Sequence, residues 1–462
     1  MNVYFHTFGC RANQYDTERV RQAFADQGAV VVADPAAADL AVVNSCTVTH
    51  ESEAKLRRFV RRLARGGRAL ETVVMGCAAA LDDGPIAALP AVRAVIPGAD
   101  PAAVLRAAGL TSVPARTVGQ SDARTGVSPV RQPDSTTVRQ GMRSRGLLKI
   151  QDGCDEHCTF CATTIARGAN RSRSIPELVA EATALAEDHA EIVLTGVHIG
   201  TYGQDRSSGL TDPGATPRGS QGPDPGNPGA WLRDSREGGP GNPGARPRGW
   251  STLGELLEAL IQAVPQVRFR LSSIEATEVD DTIARLLVEA PRHLAAHLHA
   301  PLQSGSNRVL KRMGRHWYTA ESYRARLEWL AARLPVFGLG ADIIAGFPGE
   351  SDADHRATLA LVAALPFTYL HVFPFSARPD AAATRLGPQL PPLVVHDRAR
   401  ELRELGEASE RASRERRRGQ LADGVVSGRG AGKLAVLTED YLSIYLPIAV
   451  WNGRPRFDFT VP

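Results

Sequence analysis

Two periods of apolar residues alternate along this chain. Near the start, the short apolar runs VYFHTF, DLAVVN and ETVVMG are separated by stretches with helical spacing. NQYDTERVRQAFADQG closes on Gly28, and the basic amphipathic stretch EAKLRRFVRRLARGG again closes on Gly. Strands alternating with helices predict a parallel α/β domain over residues 1–110. Residues 111–145 are polar, rich in Ser, Arg, Gly, Thr and Gln, and lack a clear period, so they read as a linker. From residue 146 a second series begins, with strand candidates LLKI (147–150), EIVLTG (191–196), VRFRLS (267–272), HLHAPL (297–302), GADIIA (340–345) and YLHVF (369–373). Two of the intervening helices carry capping-box start signals: Ser174 with Glu177, with Pro176 in the first turn, and Thr252 with Glu255. Six βα units up to residue 391 predict an open, partial (βα)6 version of the eight-fold barrel.

Residues 392–418 read as a charged helix with Arg411, Arg414, Arg416, Arg417 and Arg418 at its end, where the helix dipole favours cations. Residues 419–462 then give short strands, VVS, KLAVLTE and YLSIYLP, and a hairpin through Asn452-Gly453. A small C-terminal β-barrel module fits. Inside the barrel series, residues 206–250 break the pattern: 19 of these 45 residues are Gly or Pro. The segment repeats as GATPRGS, GAWLRDS and GARPRGW, but no repeat carries an apolar face to stack. It reads as a disordered, expanded insertion.

Composition changes the picture little. With 462 residues, 43% hydrophobic and 23% charged, the chain has material for several cores, which excludes whole-chain disorder. Six cysteines are too sparse for a disulfide scaffold. No apolar run approaches the roughly 18 residues of a membrane span. The start lacks a basic region followed by a long apolar core, so the expectation is no signal peptide, no membrane partner and a cytoplasmic protein with reduced thiols. The net charge of +4 permits a nucleic-acid partner without arguing for one.

The chemistry lies in the cysteines. Cys154, Cys158 and Cys161 form C-x3-C-x2-C, while Cys10, Cys46 and Cys77 each close a predicted strand in HTFGC, VVNSC and VVMGC. Ligands gather at the carboxyl ends of the strands of an open parallel sheet, so three thiolates far apart in sequence can converge at one edge. Structural zinc wants four ligands, and a Cys3His site using His157 is one reading of the central triplet. An iron–sulfur cube normally takes four cysteines, so three leave one iron open for substrate chemistry. Buried inert thiols are a third reading, disfavoured because no cysteine lies outside the two triplets.

CDEHCTFC, with the aromatic Phe160 before its last cysteine, resembles the cluster motif of radical S-adenosyl-L-methionine (AdoMet) enzymes. Together with the upstream three-cysteine domain it resembles the methylthiotransferase family. IQDGC (150–154), RGANRSR (167–173), LTGVHIGTYG (194–203), RLSSIEATEV (270–279), PLQSGSNRVLKRM (301–313) and DIIAGFPGE (342–350) are similar to family segments. The C-terminal module resembles the family's RNA-binding TRAM domain. GCRANQYDTE and NSCTVTHESEAKLRR look most like the branch acting on N6-threonylcarbamoyladenosine at position 37 of tRNA. Relatives act on isopentenyladenosine in tRNA or on an aspartate of a ribosomal protein. Two positions depart from the family: Thr164 stands where proline is usual, and Asp380 where glycine is usual.

The resemblance implies two [4Fe-4S] clusters, one on Cys10, Cys46 and Cys77 and one on Cys154, Cys158 and Cys161. The open iron of the second binds AdoMet. An electron from an external one-electron reductant cleaves the sulfonium, and the radical formed takes hydrogen from carbon 2 of the adenine in the tRNA anticodon stem-loop. Sulfur held at the first cluster, replenished from a sulfur source, bonds that carbon, and a second AdoMet supplies the methyl group. Candidate AdoMet contacts are Phe160 in the cysteine loop, Gly196, Val197, Ser273, Glu275 and Gln303 at or after predicted strand ends, and Asp342 and Ile344 on the fifth strand; Ser273 reads equally as a helix cap. Arg167, Arg171 and Arg173 suit a carboxylate or phosphate. Arg454 and Arg456, beside Trp451 and Phe457, suit RNA phosphates and bases, with core packing the competing reading for the aromatics. A zinc-containing RNA-binding protein without catalysis and a two-cluster electron-transfer protein are the rival classes. His198, His299 and His371 receive no role.

Overall fold

A computed structural model describes residues 1–47, 50–66, 70–82, 84–110, 145–207, 251–378, 381–430 and 432–462. Nearly all of the expected linker 111–145 and insertion 206–250, and Asp380, lie outside the described residues. The chain divides into two compact units, one comprising Met1–Met142 with Ile165–Arg167, the other Arg143–Thr164 with Gly168–Pro462.

The first unit runs β1 (Asn2–Thr7), α1 (Arg11–Asp26), β2 (Val30–Val32), β3 (Leu40–Ser45), α2 (His50–Ala64), β4 (Glu71–Gly76), α3 (Cys77–Ala80), β5 (Val92–Pro97) and α4 (Pro101–Ala107). Its sheet is parallel throughout, in the order β2-β1-β3-β4-β5. Both faces are covered. Leu40 and Val42 join Val20 and Phe24 of α1 and Val104 of α4, while Ala41 and Val43 join Leu56, Val60 and Leu63 of α2. That two-sided burial is why DLAVVN reads as a continuous apolar run. The strand order reverses between β1 and β3, which makes a switch point at their carboxyl ends. The pattern reading passed over β2 and β5, because a three-residue VVV and the half-buried VRAVIP carry too little contrast to declare themselves.

The second unit opens with β6 (Arg145–Lys149), a ribbon of β7 (Gln151–Asp152) with β8 (Arg171–Ser172), and between them α5 (Thr163–Arg167), whose end belongs to the first unit. It continues with α6 (Ile175–Leu185), β9 (Glu191–Thr195), α7 (Leu253–Ala263), β10 (Arg268–Leu271), α8 (Asp281–Glu289), β11 (His297–His299), α9 (Asn307–Arg312), α10 (Ala320–Ala331), β12 (Gly338–Ala345), α11 (Asp352–Ala364) and β13 (Tyr369–Pro374). Both expected capping boxes form. The parallel sheets β6-β9-β10 and β11-β12-β13 meet through a Ser273–His299 bridge, giving six strands in chain order. Alternate residues split between two environments. Ile192, Leu194, Phe269, Leu271, Leu298, Leu339, Ala341 and Ile343 enter the core shared with the helices. The residues between them, Glu191, Arg268, Arg270, His297, His299 and Asp342, therefore line the inner face. This inner wall is polar, unlike the branched aliphatic filling of a closed barrel.

Helix α12 (Pro392–Arg417) leads to an antiparallel sheet of β14 (Leu421–Gly430), β15 (Lys433–Thr438), β16 (Ser443–Pro447) and β17 (Arg456–Thr460) in the order β16-β15-β14-β17. The expected hairpin at Asn452-Gly453 does not form. The turn joins β16 to β17, but β17 pairs with β14, with Leu421 opposite Thr460. Phe457 lies in the core of the module with Phe459, Val426 and Leu434. Of the arginines ending α12, Arg417 is buried against Asp440 at 2.9 Å and Glu439 at 2.8 Å, and Arg414 meets Glu410 at 3.1 Å.

The module closes the lower end of the barrel. Arg268 and Arg270, both without solvent exposure, grip the buried Glu191 at 2.7 and 2.9 Å. They also donate to the module's backbone, Arg268 to Asp423 O at 2.6 Å and Arg270 to Thr438 O at 2.8 Å. Tyr441 stacks on His297 with ring centroids 4.4 Å apart. Among the described residues no helix is long and apolar enough to cross a membrane.

Candidate functional site

In the first unit Cys10 caps α1 after β1, Cys46 follows β3 and Cys77 opens α3 after β4, so all three sit at the switch-point edge. Asn13, fully buried, organises them. Its Nδ2 donates to Phe8 O at 3.0 Å and Ser45 O at 2.9 Å, tying the ends of β1 and β3 together. Its Oδ1 accepts from the thiols of Cys10 and Cys77, each at 3.8 Å. Gly9, at φ +107°, supplies the turn, and a Cβ there would lie 3.0 Å from Cys46 Sγ and 2.9 Å from Asn13 Nδ2. Only glycine leaves room for the third sulfur. Arg167 Nε donates to Cys77 Sγ at 3.2 Å, and its guanidinium also meets Asn13 Oδ1 and Asp16 Oδ2, the latter at 2.9 Å. Burial pushes the Cys77 thiol up, and the charge and hydrogen bond of Arg167 offset only part of that push.

In the second unit Cys154, Cys158 and Cys161 lie on the loop between β7 and α5. The loop is pinned along its length. Gly153 sits at φ +74°, where a Cβ would fall 1.8 Å from Ala169 O. Cys154 N–H donates to Gly168 O at 3.0 Å, and Thr159 N–H to Met313 O at 2.9 Å. Thr164, at the position where proline was expected, spends its hydroxyl on Glu156 O at 3.2 Å. Thr163 N–H donates to Cys161 Sγ at 3.3 Å, and His198 Nδ1 stands 3.6 Å from Cys154 Sγ. His198 Nε2 in turn lies 2.7 Å from Glu278. Burial pushes the Cys158 thiol up to about 12, against the pull of Arg315. All six thiols are free, and His157 is exposed, so the imidazole beside this triplet is that of His198. Three sulfurs on one eight-residue loop form a donor set that fits an iron–sulfur cube with one iron left open.

The remaining candidates divide. Phe160 and Ile344 share one apolar cluster with Val309, Met313 and Phe347. Val197 N–H is taken by Gln151 Oε1 at 3.0 Å, as is His198 N–H at 2.9 Å; a Cβ at Gly196 would meet the same oxygen at 2.8 Å. Gln303, at φ +64°, gives its carbonyl to Ile344 N–H at 3.0 Å. Ser273 is exposed and does not cap the next turn, whose first residue follows Glu275. The Glu275 carboxylate accepts from Arg315 and Trp317. Asp342 meets His299 Nε2 at 3.0 Å and His371 Nδ1 at 3.2 Å. Arg173 is paired with Glu181 at 2.7 Å, and exposed Arg171 donates to Ala169 O at 3.1 Å. Arg456 is held by Asp423 at 2.8 Å, whereas Arg454 is exposed beside Trp451, whose ring Arg429 covers at 3.7 Å.

Sequence reading missed Asn13, Gln151, His198 and Arg315. Asn13 lies three residues after a cysteine, a spacing that looks like ordinary helix. His198 lies in the quoted LTGVHIGTYG segment, and only the fold brings it to Cys154.

Two family models match the chain. Residues 2–98 match the uncharacterized protein family UPF0004, and residues 148–362 match the radical SAM superfamily. The chain is 30% identical over 451 residues, covering 96% of each chain, to the threonylcarbamoyladenosine tRNA methylthiotransferase MtaB of Aquifex aeolicus. It is 32% identical over 402 residues to the protein of that name from Bacillus subtilis, covering 87% of this chain and 79% of the relative. The Thermotoga maritima protein of that name is 32% identical over 405 residues, with 87% and 81% covered. The superfamily match implies a [4Fe-4S] cluster and AdoMet as cofactors. The chain belongs to the radical AdoMet methylthiotransferase family, in the branch whose members are named threonylcarbamoyladenosine tRNA methylthiotransferases.

Proposed function

We propose that this chain is a tRNA-modifying enzyme that adds a methylthio group to carbon 2 of N6-threonylcarbamoyladenosine at position 37. The observation that carries the reading is the pair of separate thiol triplets, one at a parallel-sheet switch point and one on the loop after β7. When bound, a [4Fe-4S] cluster with AdoMet at one triplet supplies radical cleavage of an unactivated C–H bond, and a second cluster at the other supplies sulfur.

The residues have separable tasks. Cys154, Cys158 and Cys161 hold the AdoMet-side cluster, and Cys10, Cys46 and Cys77 the other. Phe160 and Ile344 form an apolar wall beside the central loop. The turn at Gly196 and Val197, held by Gln151 through the N–H groups of Val197 and His198, would meet AdoMet. Glu275 acts through Arg315, holding that cation near Cys158. Gln303 orients Ile344 through its carbonyl. Arg167 positions Cys77 Sγ through its Nε–H. Exposed Arg454 and Arg171 suit phosphates of the anticodon stem-loop. Residues 1–110, 146–391 and 419–462 are the working domains, joined by 111–145 and by the helix 392–418. The enzyme draws one electron from an external reductant and sulfur from a separate source, and works in the cytoplasm with its tRNA.

The test combines two measurements. Iron, sulfide and electron paramagnetic resonance on anaerobic wild type are expected to give two cubes, each lost in the matching triple-Cys variant. Nucleoside mass spectrometry of a deletion strain is expected to lose 2-methylthio-N6-threonylcarbamoyladenosine. Zinc, a single cube, or unchanged tRNA with an altered ribosomal protein each overturns the reading.

A further inference from the structure

We propose that His299, Asp342 and His371 form the polar floor of the substrate pocket and hydrogen-bond the threonylcarbamoyl substituent of the target base, an inference that rests on the function proposed above. The three side chains come from adjacent strands. Asp342 pairs in register with His371, and His299 with Gly340, so all point from one face of the sheet. His299 Nε2 and His371 Nδ1 converge on the same carboxylate oxygen, at 3.0 and 3.2 Å.

The layer is rigid from below. Tyr369 OH lies 3.1 Å from His299 Nδ1 and 2.9 Å from His297 Nε2. The Tyr369 ring occupies the space over Gly340, where a Cβ would come within 2.0 Å of it. His297 is stacked on Tyr441, so the lower end of the barrel is filled and a ligand reaches the layer from above. Ile344, two residues along the same face from Asp342, shares the apolar cluster of Phe160 on the central cysteine loop. Two residues of strand span about 7 Å. The floor thus lies about one nucleobase's breadth below the apolar wall beside Cys158 and Cys161. His371 is 57% exposed and Asp342 26%, which leaves the layer open upward.

The chemistry selects a class of ligand. Burial pushes the Asp342 carboxyl up, but the hydrogen bonds from His299 and His371 overcome it and hold it well below the usual carboxylate range, so it accepts from both rings. With Nδ1 turned to Asp342, the ring atom that His371 presents outward is Nε2, an acceptor in the tautomer protonated at Nδ1. An outward acceptor matches the urea N–H and hydroxyl of a threonylcarbamoyl group. An isopentenyl group offers neither. A site built to hydrogen-bond a substituent rejects the analogue that lacks it far more strongly than an apolar pocket rejects an extra methylene.

The test uses full-length anaerobic enzyme and three labelled anticodon stem-loops, carrying threonylcarbamoyladenosine, isopentenyladenosine or plain adenosine. Equilibrium binding is read by fluorescence anisotropy. His371→Leu is expected to weaken the threonylcarbamoyl stem-loop at least tenfold and leave the isopentenyl one within threefold. His371→Gln, which restores an acceptor, is expected to recover most of the loss. Equal weakening of all three, or no weakening of the first, overturns the inference alone. A wild type that does not favour the threonylcarbamoyl stem-loop over the isopentenyl one and does not methylthiolate it overturns the proposed function and the inference with it.

Discussion

Asn13 Oδ1 lies 3.8 Å from Cys77 Sγ while Asn13 Nδ2 is fixed by the backbone of Phe8 and Ser45. A single buried amide thereby registers the strand ends that carry the first thiol triplet. Asn13→Ala is expected to cost about 1–3 kcal/mol, the penalty of leaving buried partners unpaired. More specifically, iron and sulfide content should fall by one cluster while AdoMet cleavage persists. Full iron loading in this variant would show that Asn13 has only a packing role.

Cys158→Ala removes one thiol of the central triplet without touching the first unit. AdoMet cleavage is expected to fall to background, and one cluster signal should survive in the electron paramagnetic resonance spectrum. Loss of both signals would contradict the assignment of the triplets to separate clusters.

Gly153→Ala keeps every cysteine but places a Cβ 1.8 Å from Ala169 O at a φ of +74°. The left-handed conformation alone costs about 1–2 kcal/mol for a non-glycine residue, and the carbonyl must also move. We expect at least a tenfold drop in AdoMet cleavage together with incomplete iron loading. Wild-type kinetics would mean that the loop tolerates displacement.

Glu191 sits between Arg268 and Arg270 with no exposed surface. Glu191→Gln leaves two buried guanidiniums undercompensated, and breaking such a pair costs about 3–5 kcal/mol. The urea midpoint should drop accordingly. The pH dependence follows from the same contact. Burial pushes this carboxyl up, and the two arginines outweigh it, so the folded value lies below the ordinary one. The contribution is complete above the unfolded value of about 4.3 and is lost as pH falls below it. Urea midpoints measured from pH 6 down to pH 3 should fall more steeply in wild type than in Glu191→Gln. Parallel curves would remove Glu191 from the account.

The six barrel strands were readable because each carries a short apolar run between helical stretches. Both capping boxes were readable because Ser174–Glu177 and Thr252–Glu255 are local. The convergence of Cys10, Cys46 and Cys77 followed from three strands each ending in cysteine. Long-range pairing was not legible: β17 joins β14 across some thirty-five residues, so Asn452-Gly453 looked like a hairpin. Partnerships such as His198 with Cys154, or Arg456 with Asp423, join residues from different elements and leave no periodic trace. The alternation of Arg268 and Arg270, and of His297 and His299, with leucine or phenylalanine was visible. Its meaning, a polar lumen, needed the helices to show which face was outer.

The Glu439–Tyr441 turn seals one mouth of the barrel so closely that Asp440 O lies 2.0 Å from where a side chain on Gly338 would begin. Amputating the C-terminal sheet would therefore unstopper the barrel and take from Arg268 and Arg270 their acceptors on Asp423 and Thr438. A truncated chain that fails on tRNA would be reporting collapse of its scaffold. The proposed RNA role of Arg454 is testable only through point changes on the outer surface of an intact molecule.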